Sequence, residues 1–191
     1  MKMNYEDDIR EAVKAIKNGG VILYPTDTIW GIGCDATNAK AVEKVYAAKH
    51  RTDGKSLIIL VENAEMLLKY VDSVPPTSLD LILSYQKPLT VIYPRSKNLP
   101  RNLPGTDGSI AIRIPRTQFC MDLLKLTGKP IVSTSANITG EPAPVMYSRV
   151  SEEIRESVAY AVFHGRDEIR EAVPSTIIRL YNNGDFETIR D

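Results

Sequence analysis

Histidine and cysteine are scarce, with two of each in 191 residues. His50 and His164 cannot build a multi-histidine metal centre, and Cys34 and Cys120 match no metal-ligand spacing. The thiols read as buried cysteines of a cytosolic protein. Charge of one sign is not in excess either: 24 Lys and Arg balance 24 Asp and Glu. That argues against a mainly electrostatic nucleic-acid binder, while leaving a local basic groove open. Although 43% of residues are hydrophobic, no apolar run approaches the roughly 20 residues of a membrane helix. The N-terminal "MKMNYEDDIREAVKAI" is acidic and amphipathic, unlike a signal peptide. A soluble cytoplasmic protein is expected. Repeats, low-complexity tracts, P-loop and dinucleotide fingerprints, G-x-S-x-G and a paired-carboxylate context are all missing.

Short apolar runs alternate with helical patterns. Ile9, Ala12, Val13 and Ile16 recur at helical spacing before Asn18-Gly19-Gly20. A second helix starts near Asn38, with an inward stripe of Val42, Val45 and Tyr46, and others run through Met66–Tyr70, Leu79–Leu83, Phe119–Leu124 and 148–157. Strands are expected at 21–25, 57–61, 90–94, 109–115 and in "KPIVSTSAN", with closing strands at 159–163, 175–181 and 186–190. "TDTIWGIGCDAT", "VPPTS" (74–78) and "LPRNLPGTDG" (99–108) read as loops. The pattern implies α/β: one domain over 1–191, with helices around a mixed sheet.

Three segments could carry chemistry. In "YAAKHRTDGKSL", Lys49 continues the helix's inward stripe, and Arg51 and Lys55 follow. Lys49 either snorkels to water at a solvated helix end, where cations favour the dipole, or reaches into a site. In "PTDTIWGIG", Thr26, Asp27 and Thr28 leave a buried strand, and Gly31 and Gly33 permit close backbone approach or positive φ. An ordinary turn uses the same residue types. Trp30 is either core or a pocket wall. In "IVSTSANITGEP", Ser133, Thr134, Ser135 and Asn137 crowd the end of a strand, as capped-turn residues or as donors to phosphate or carboxylate. A basic, hydroxyl-rich anion site without a protein nucleophile suits phosphoryl or nucleotidyl transfer, which runs on positioning and charge stabilisation.

Together "YPTDTIWGIGCDA", K-x-R-x-x-x-K-x-L at 49–57 and "STSANITG" resemble the YrdC family of threonylcarbamoyl-AMP synthases. "KPLTVIYP", "IAIRIPR" and "PSTIIRL" extend the resemblance over residues 8 to 181. It implies a YrdC-like fold, a single-domain twisted mixed sheet with flanking helices and a concave basic cleft, without the extra C-terminal domain of larger members. It also implies synthesis of threonylcarbamoyl-AMP and pyrophosphate from L-threonine, bicarbonate and ATP with Mg²⁺, for threonylcarbamoyladenosine in tRNA. The implied partners are those substrates, an RNA contact with tRNA and downstream threonylcarbamoyl-transferase proteins, with no membrane. Carried over, Lys49 and Arg51 are catalytic, and Lys49, Arg51, Lys55, Ser133, Ser135 and Asn137 bind ATP. Thr28, Arg51, Thr90, Arg113 and Ser175 bind threonine. The alternative is an RNA- or nucleotide-binding paralogue without synthesis. Many members have proline where Thr52 and Ser56 stand, so the basic loop is expected to order only with ATP. They usually have Tyr at Trp30, which keeps an aromatic wall.

Overall fold

The computed structural model describes residues 3–51, 57–169 and 175–191. Helix α1 (Tyr5–Lys17) is capped by Asn4, whose side chain accepts from the Asp7 amide, and its first turn is acidic and its last basic. Its apolar stripe, Ile9, Ala12, Val13 and Ile16, is buried. Strands β1 (Ile22–Pro25) and β2 (Trp30–Gly33) form an antiparallel hairpin with Leu23 opposite Ile32. The second strand corrects the reading of "TDTIWGIGCDAT" as loop.

Its glycines are there for the neighbouring strand. A Cβ on Gly33 would sit 2.0 Å from the Val132 carbonyl oxygen, and one on Gly31 would sit 3.0 Å from that of Thr134. Glycine in a strand therefore marks close approach of another backbone, with neither residue at positive φ.

Helices α2 (Ala39–Ala48), α3 (Ala64–Leu68), α4 (Pro76–Ser84), α5 (Gln118–Thr127) and α6 (Glu152–Ser157) flank the sheet. The "VPPTS" loop is partly helix, because proline in the first turn gives up no intrahelical bond. The remaining strands are β3 (Ile58–Leu60), β4 (Leu89–Tyr93), β5 (Ile110–Arg113), β6 (Ile131–Ser135), β7 (Tyr160–Ala161), β8 (Thr176–Leu180) and β9 (Phe186–Arg190). Among the described residues they make one nine-stranded sheet in the order β7-β1-β2-β6-β3-β5-β4-β8-β9. Pairs β1–β7, β3–β5 and β4–β8 are parallel and the rest antiparallel, so the sheet is mixed. No helix among the described residues is long and apolar enough to cross a membrane.

Two apolar clusters show how the sheet is covered. Val42 and Val45 of α2, Met66 and Leu67 of α3 and Ile154 of α6 pack on one face against residues such as Ile59, Val91, Ile112 and Val132. On the other face α1 and α5 cover Ile22, Tyr24, Leu60 and Ile131. The second cover stops there. Beyond it the same face of β3, β5, β4 and β8 is open.

Candidate active site

Side chains alternate across a strand, and register decides which ones share the open face. Ser133 faces Ile58, Ile58 faces Ala111, and Ala111 faces Ile92. The next row runs from Arg113 to Thr90, Ile177 and Arg190. These rows floor a cleft of about 630 Å³. Its rim comes from the β1–β2 turn through Thr28, from the end of α2 through Arg51, and from Ser135 and Ser175. Volumes of this order hold a drug-sized or nucleotide-sized ligand.

Seven of the ten nominated residues thus line one cavity: Thr28, Arg51, Thr90, Arg113, Ser133, Ser135 and Ser175. Lys55 lies outside the described residues, as do Thr52 and Ser56, on which the expectation about the basic loop rested. Lys49 and Asn137 stand behind the lining.

Lys49 caps the C-terminus of α2 and is only 4% exposed. The side chain turns inward, and its ammonium donates to the Ser135 carbonyl at 2.6 Å, the Asn137 carbonyl at 2.7 Å and Ser135 Oγ at 3.4 Å. In return the Lys49 carbonyl accepts from the Thr139 amide (3.1 Å) and hydroxyl (2.9 Å). The helix end and the 135–139 turn are therefore one hydrogen-bonded unit. Burial, with the Arg51 guanidinium adding repulsion, pushes the Lys49 ammonium down from the usual lysine range to about 8. Asn137 donates to the carbonyls of Ile138 (2.9 Å) and Glu141 (2.7 Å), bracing the turn from within.

At the opposite end, Thr90 and Ser175 share a hydroxyl–hydroxyl bond of 2.9 Å. Arg190 donates to the Ser175 carbonyl through Nη2 at 2.9 Å and Nε at 3.2 Å. A register shift at Ile177/Ile178 interrupts the β8–β9 ladder beside Arg190, in keeping with the way bulges re-aim side chains near sites. Arg113, 6% exposed, makes an ion pair with Asp27 at 3.4 Å on the cleft floor.

Trp30 corrects the wall reading. It is fully buried on the face away from the cleft, edge-on to Tyr147 at 5.2 Å. The alternation of β2 sends Trp30 and Ile32 to the core and the glycines to the site side. His50 is exposed and bonded to Glu153 at 2.8 Å, outside the cleft. Cys34 and Cys120 are both buried, and neither forms a disulfide among the described residues.

Two contributors escaped the sequence reading as site residues. Arg190 sits in a segment, "FETIR", whose exposed pattern signals only an edge strand. Asp27 stands in the sequence with Thr26 and Thr28, at the ligand end of a strand or in an ordinary turn, and is not among the nominated residues. Its pairing with Arg113 depends on a contact 86 residues away in sequence, which spacing does not reveal.

A cleft lined by arginines and hydroxyls on the open face of a mixed sheet marks an α/β protein with donors suited to an anionic ligand. The comparisons give the family. The Sua5/YciO/YrdC family model, described as "Telomere recombination", matches residues 14–191, and the chain belongs to that family. A threonylcarbamoyl-AMP synthase of Pseudoalteromonas translucida is 36% identical over 163 residues, 84% of this chain and 87% of that protein. Another from Photobacterium profundum is 34% identical over 183 residues, 91% of this chain and 98% of that one. Among solved structures, P. abyssi Sua5 complexed with L-threonine superposes with a TM-score of 0.82 at 30% identity. That match covers 90% of this chain and 50% of the Sua5 chain, so this chain spans about half the length of that protein.

Proposed function

We propose that this chain is a threonylcarbamoyl-AMP synthase, a nucleotidyltransferase joining L-threonine, bicarbonate and ATP and releasing pyrophosphate, within tRNA threonylcarbamoyladenosine modification. One observation carries the reading: the cleft gathers Arg51, Arg113 and Arg190 with the hydroxyls of Thr28, Thr90, Ser133, Ser135 and Ser175 in a single space. That donor set suits substrates bearing a carboxylate and three phosphates. The synthases above, at 36% and 34% identity, supply the choice among such substrates.

Threonine's amine adds to carbon dioxide and loses a proton, or condenses with bicarbonate and expels water, to give a carbamate. A carbamate oxygen then attacks the α-phosphorus while its bond to the bridging oxygen breaks, and pyrophosphate leaves. No covalent enzyme intermediate is required, so the residues act by position and charge. Arg113 takes the threonine carboxylate, with Thr90 and Ser175 beside it, and Thr28 faces the side-chain hydroxyl. Arg51 spans the two substrates. Ser133 and Ser135 donate to phosphate oxygens, while Lys49 and Asn137 fix the turn that presents them and Lys49 adds its charge from behind. Lys55 joins the phosphate contacts on the strength of the K-x-R-x-x-x-K pattern.

Mg²⁺ held by the triphosphate would offset phosphate charge beside Arg51. Among the described residues no group of three or more His, Cys, Asp or Glu side chains forms a cage of its own. A cytoplasmic setting, a tRNA contact and hand-over to a threonylcarbamoyl-transferase follow from the same reading.

The test is to incubate the chain with ATP, Mg²⁺, threonine and bicarbonate and to follow pyrophosphate and adenylate product. Release that depends on both threonine and bicarbonate is expected. Nucleotide or RNA binding without turnover would overturn the proposal.

A further inference from the structure

Asp27 has no local reason to be an aspartate. The turn that holds it is closed by its neighbour: Thr26 Oγ1 accepts from the amides of Thr28 and Ile29, both at 3.2 Å, and donates to the Ile29 carbonyl at 2.7 Å. The Thr26 amide also donates to the Ile29 carbonyl at 3.1 Å. Turn aspartates ordinarily do this work with their own carboxylate. Here the carboxylate is turned away, 7% exposed, and among the described residues neither of its oxygens has a hydrogen-bond partner.

Its contact is Arg113 Nη1, at 3.4 Å. Arg113 is equally withdrawn, and its Nε has no hydrogen-bond partner among the described residues. A buried ion pair without further hydrogen bonds is a poor way to stabilise a fold, and apolar residues of similar size do as well or better. The pair makes sense only if the guanidinium itself is needed, charged and aimed, at the cleft floor.

We propose that Asp27 is a positioning residue for substrate carboxylate recognition: from behind the floor it holds Arg113 in the orientation that presents its remaining donors to the cleft. This rests on the synthase reading, in which the carboxylate is that of threonine. Two effects of Asp27 oppose each other. As a neighbouring negative charge it weakens Arg113's pull on an anion. As an anchor it removes the cost of ordering a long side chain at the moment of binding. The largely buried setting, with the cleft on one side, favours the anchor, because a guanidinium stripped of its counter-charge there swings toward water.

The sign of one substitution decides. In Asp27→Asn, threonine binding by calorimetry and the KM for threonine should both weaken about tenfold, with the KM for ATP changed less than about twofold. In an Arg113→Gln background the same substitution should cost nothing further, because its effect passes through Arg113. Unchanged or tighter threonine binding in Asp27→Asn, or additive losses in the cycle, would overturn the proposal. Should Asp27→Asn fail to fold, Asp27→Glu keeps the charge and moves it by one methylene. Weaker threonine binding is then expected, and wild-type affinity would overturn the idea. Failure of the unsubstituted chain to bind threonine at all overturns the synthase reading first, and this inference with it.

Discussion

The two faces of β5 carry opposite kinds of information. Ile110 and Ile112 point into the apolar cluster under α2 and α3, while Ala111 and Arg113 point into the cleft. The same division holds on β4, with Val91 and Tyr93 on one side and Thr90 and Ile92 on the other. On β6 it separates Val132 from Ser133. All these positions are strand, and most are buried on both sides, so burial does not distinguish core from site. What differs is the cover. Helices α2, α3 and α6 pack on one face, and on the other α1 and α5 stop short, leaving polar side chains facing a space instead of a neighbour.

Adjacent substitutions on one strand give the largest contrast. Arg113→Ala removes one of the cleft's cations and strands the Asp27 carboxylate in the interior. Breaking a buried pair from one side costs about 3–5 kcal/mol of stability. Loss of a charged hydrogen-bonding group should also lower product formation about 100-fold per folded molecule. Ile112→Ala, one residue away, should cost about 2–4 kcal/mol by leaving a cavity. The kcat/KM of its folded fraction should stay at the wild-type level. Thermal melts paired with pyrophosphate release separate the two outcomes. An Ile112→Ala protein with intact stability and lost turnover would break the division between the faces.

Removing a single hydroxyl probes the open face more gently. Thr90→Val keeps the shape of a fully buried residue and deletes its bond to Ser175. The expected loss is about 1 kcal/mol, roughly fivefold in the KM for threonine, with ATP untouched. If the ATP KM rises instead, the threonine and nucleotide ends of the cleft have been assigned the wrong way round.

The sequence was a better guide to the closed face than to the open one, for a physical reason. Apolar stripes such as Ile9, Ala12, Val13 and Ile16 repeat at the period of the element, and each residue's role can be read within one helix or strand. The cleft is built across strands, by register. Ser133, Ile58, Ala111 and Ile92 meet although they come from four separate segments. Polar motifs such as "STSAN" signalled that part of this surface offers donors, and the cleft lining includes Ser133, Thr134 and Ser135. Nothing in the local pattern of "FETIR" could say that Arg190 would reach Ser175, nor in "TDT" that Asp27 would serve an arginine on β5. The β2 glycines misled in the same way, since glycine among hydroxyl residues suggested a loop open to a ligand, and the backbone that approaches them is β6.

Lys49 sits between the two regions, anchored like a core residue and charged like a site residue, and pH separates these roles. Burial first, and Arg51 second, lower its folded-state pKa from 10.5 to about 8. The unfolded chain therefore binds more protons than the folded one in the window from about 8 to 10.5. Stability contributed by this group must rise with pH across that window, as the cost of the buried charge is relieved. Below it both states are protonated and the contribution is flat. Activity should move the other way. A neutral amine still has two N–H donors for the Ser135 and Asn137 carbonyls, so the turn keeps its geometry while the positive charge behind the phosphates is lost. Turnover should then fall severalfold between about pH 7 and pH 10 while this group's stability contribution climbs. In Lys49→Met both slopes attributable to this group should vanish. If turnover stays level through that range, the ammonium is only a strut for the turn, and its charge plays no part in the chemistry.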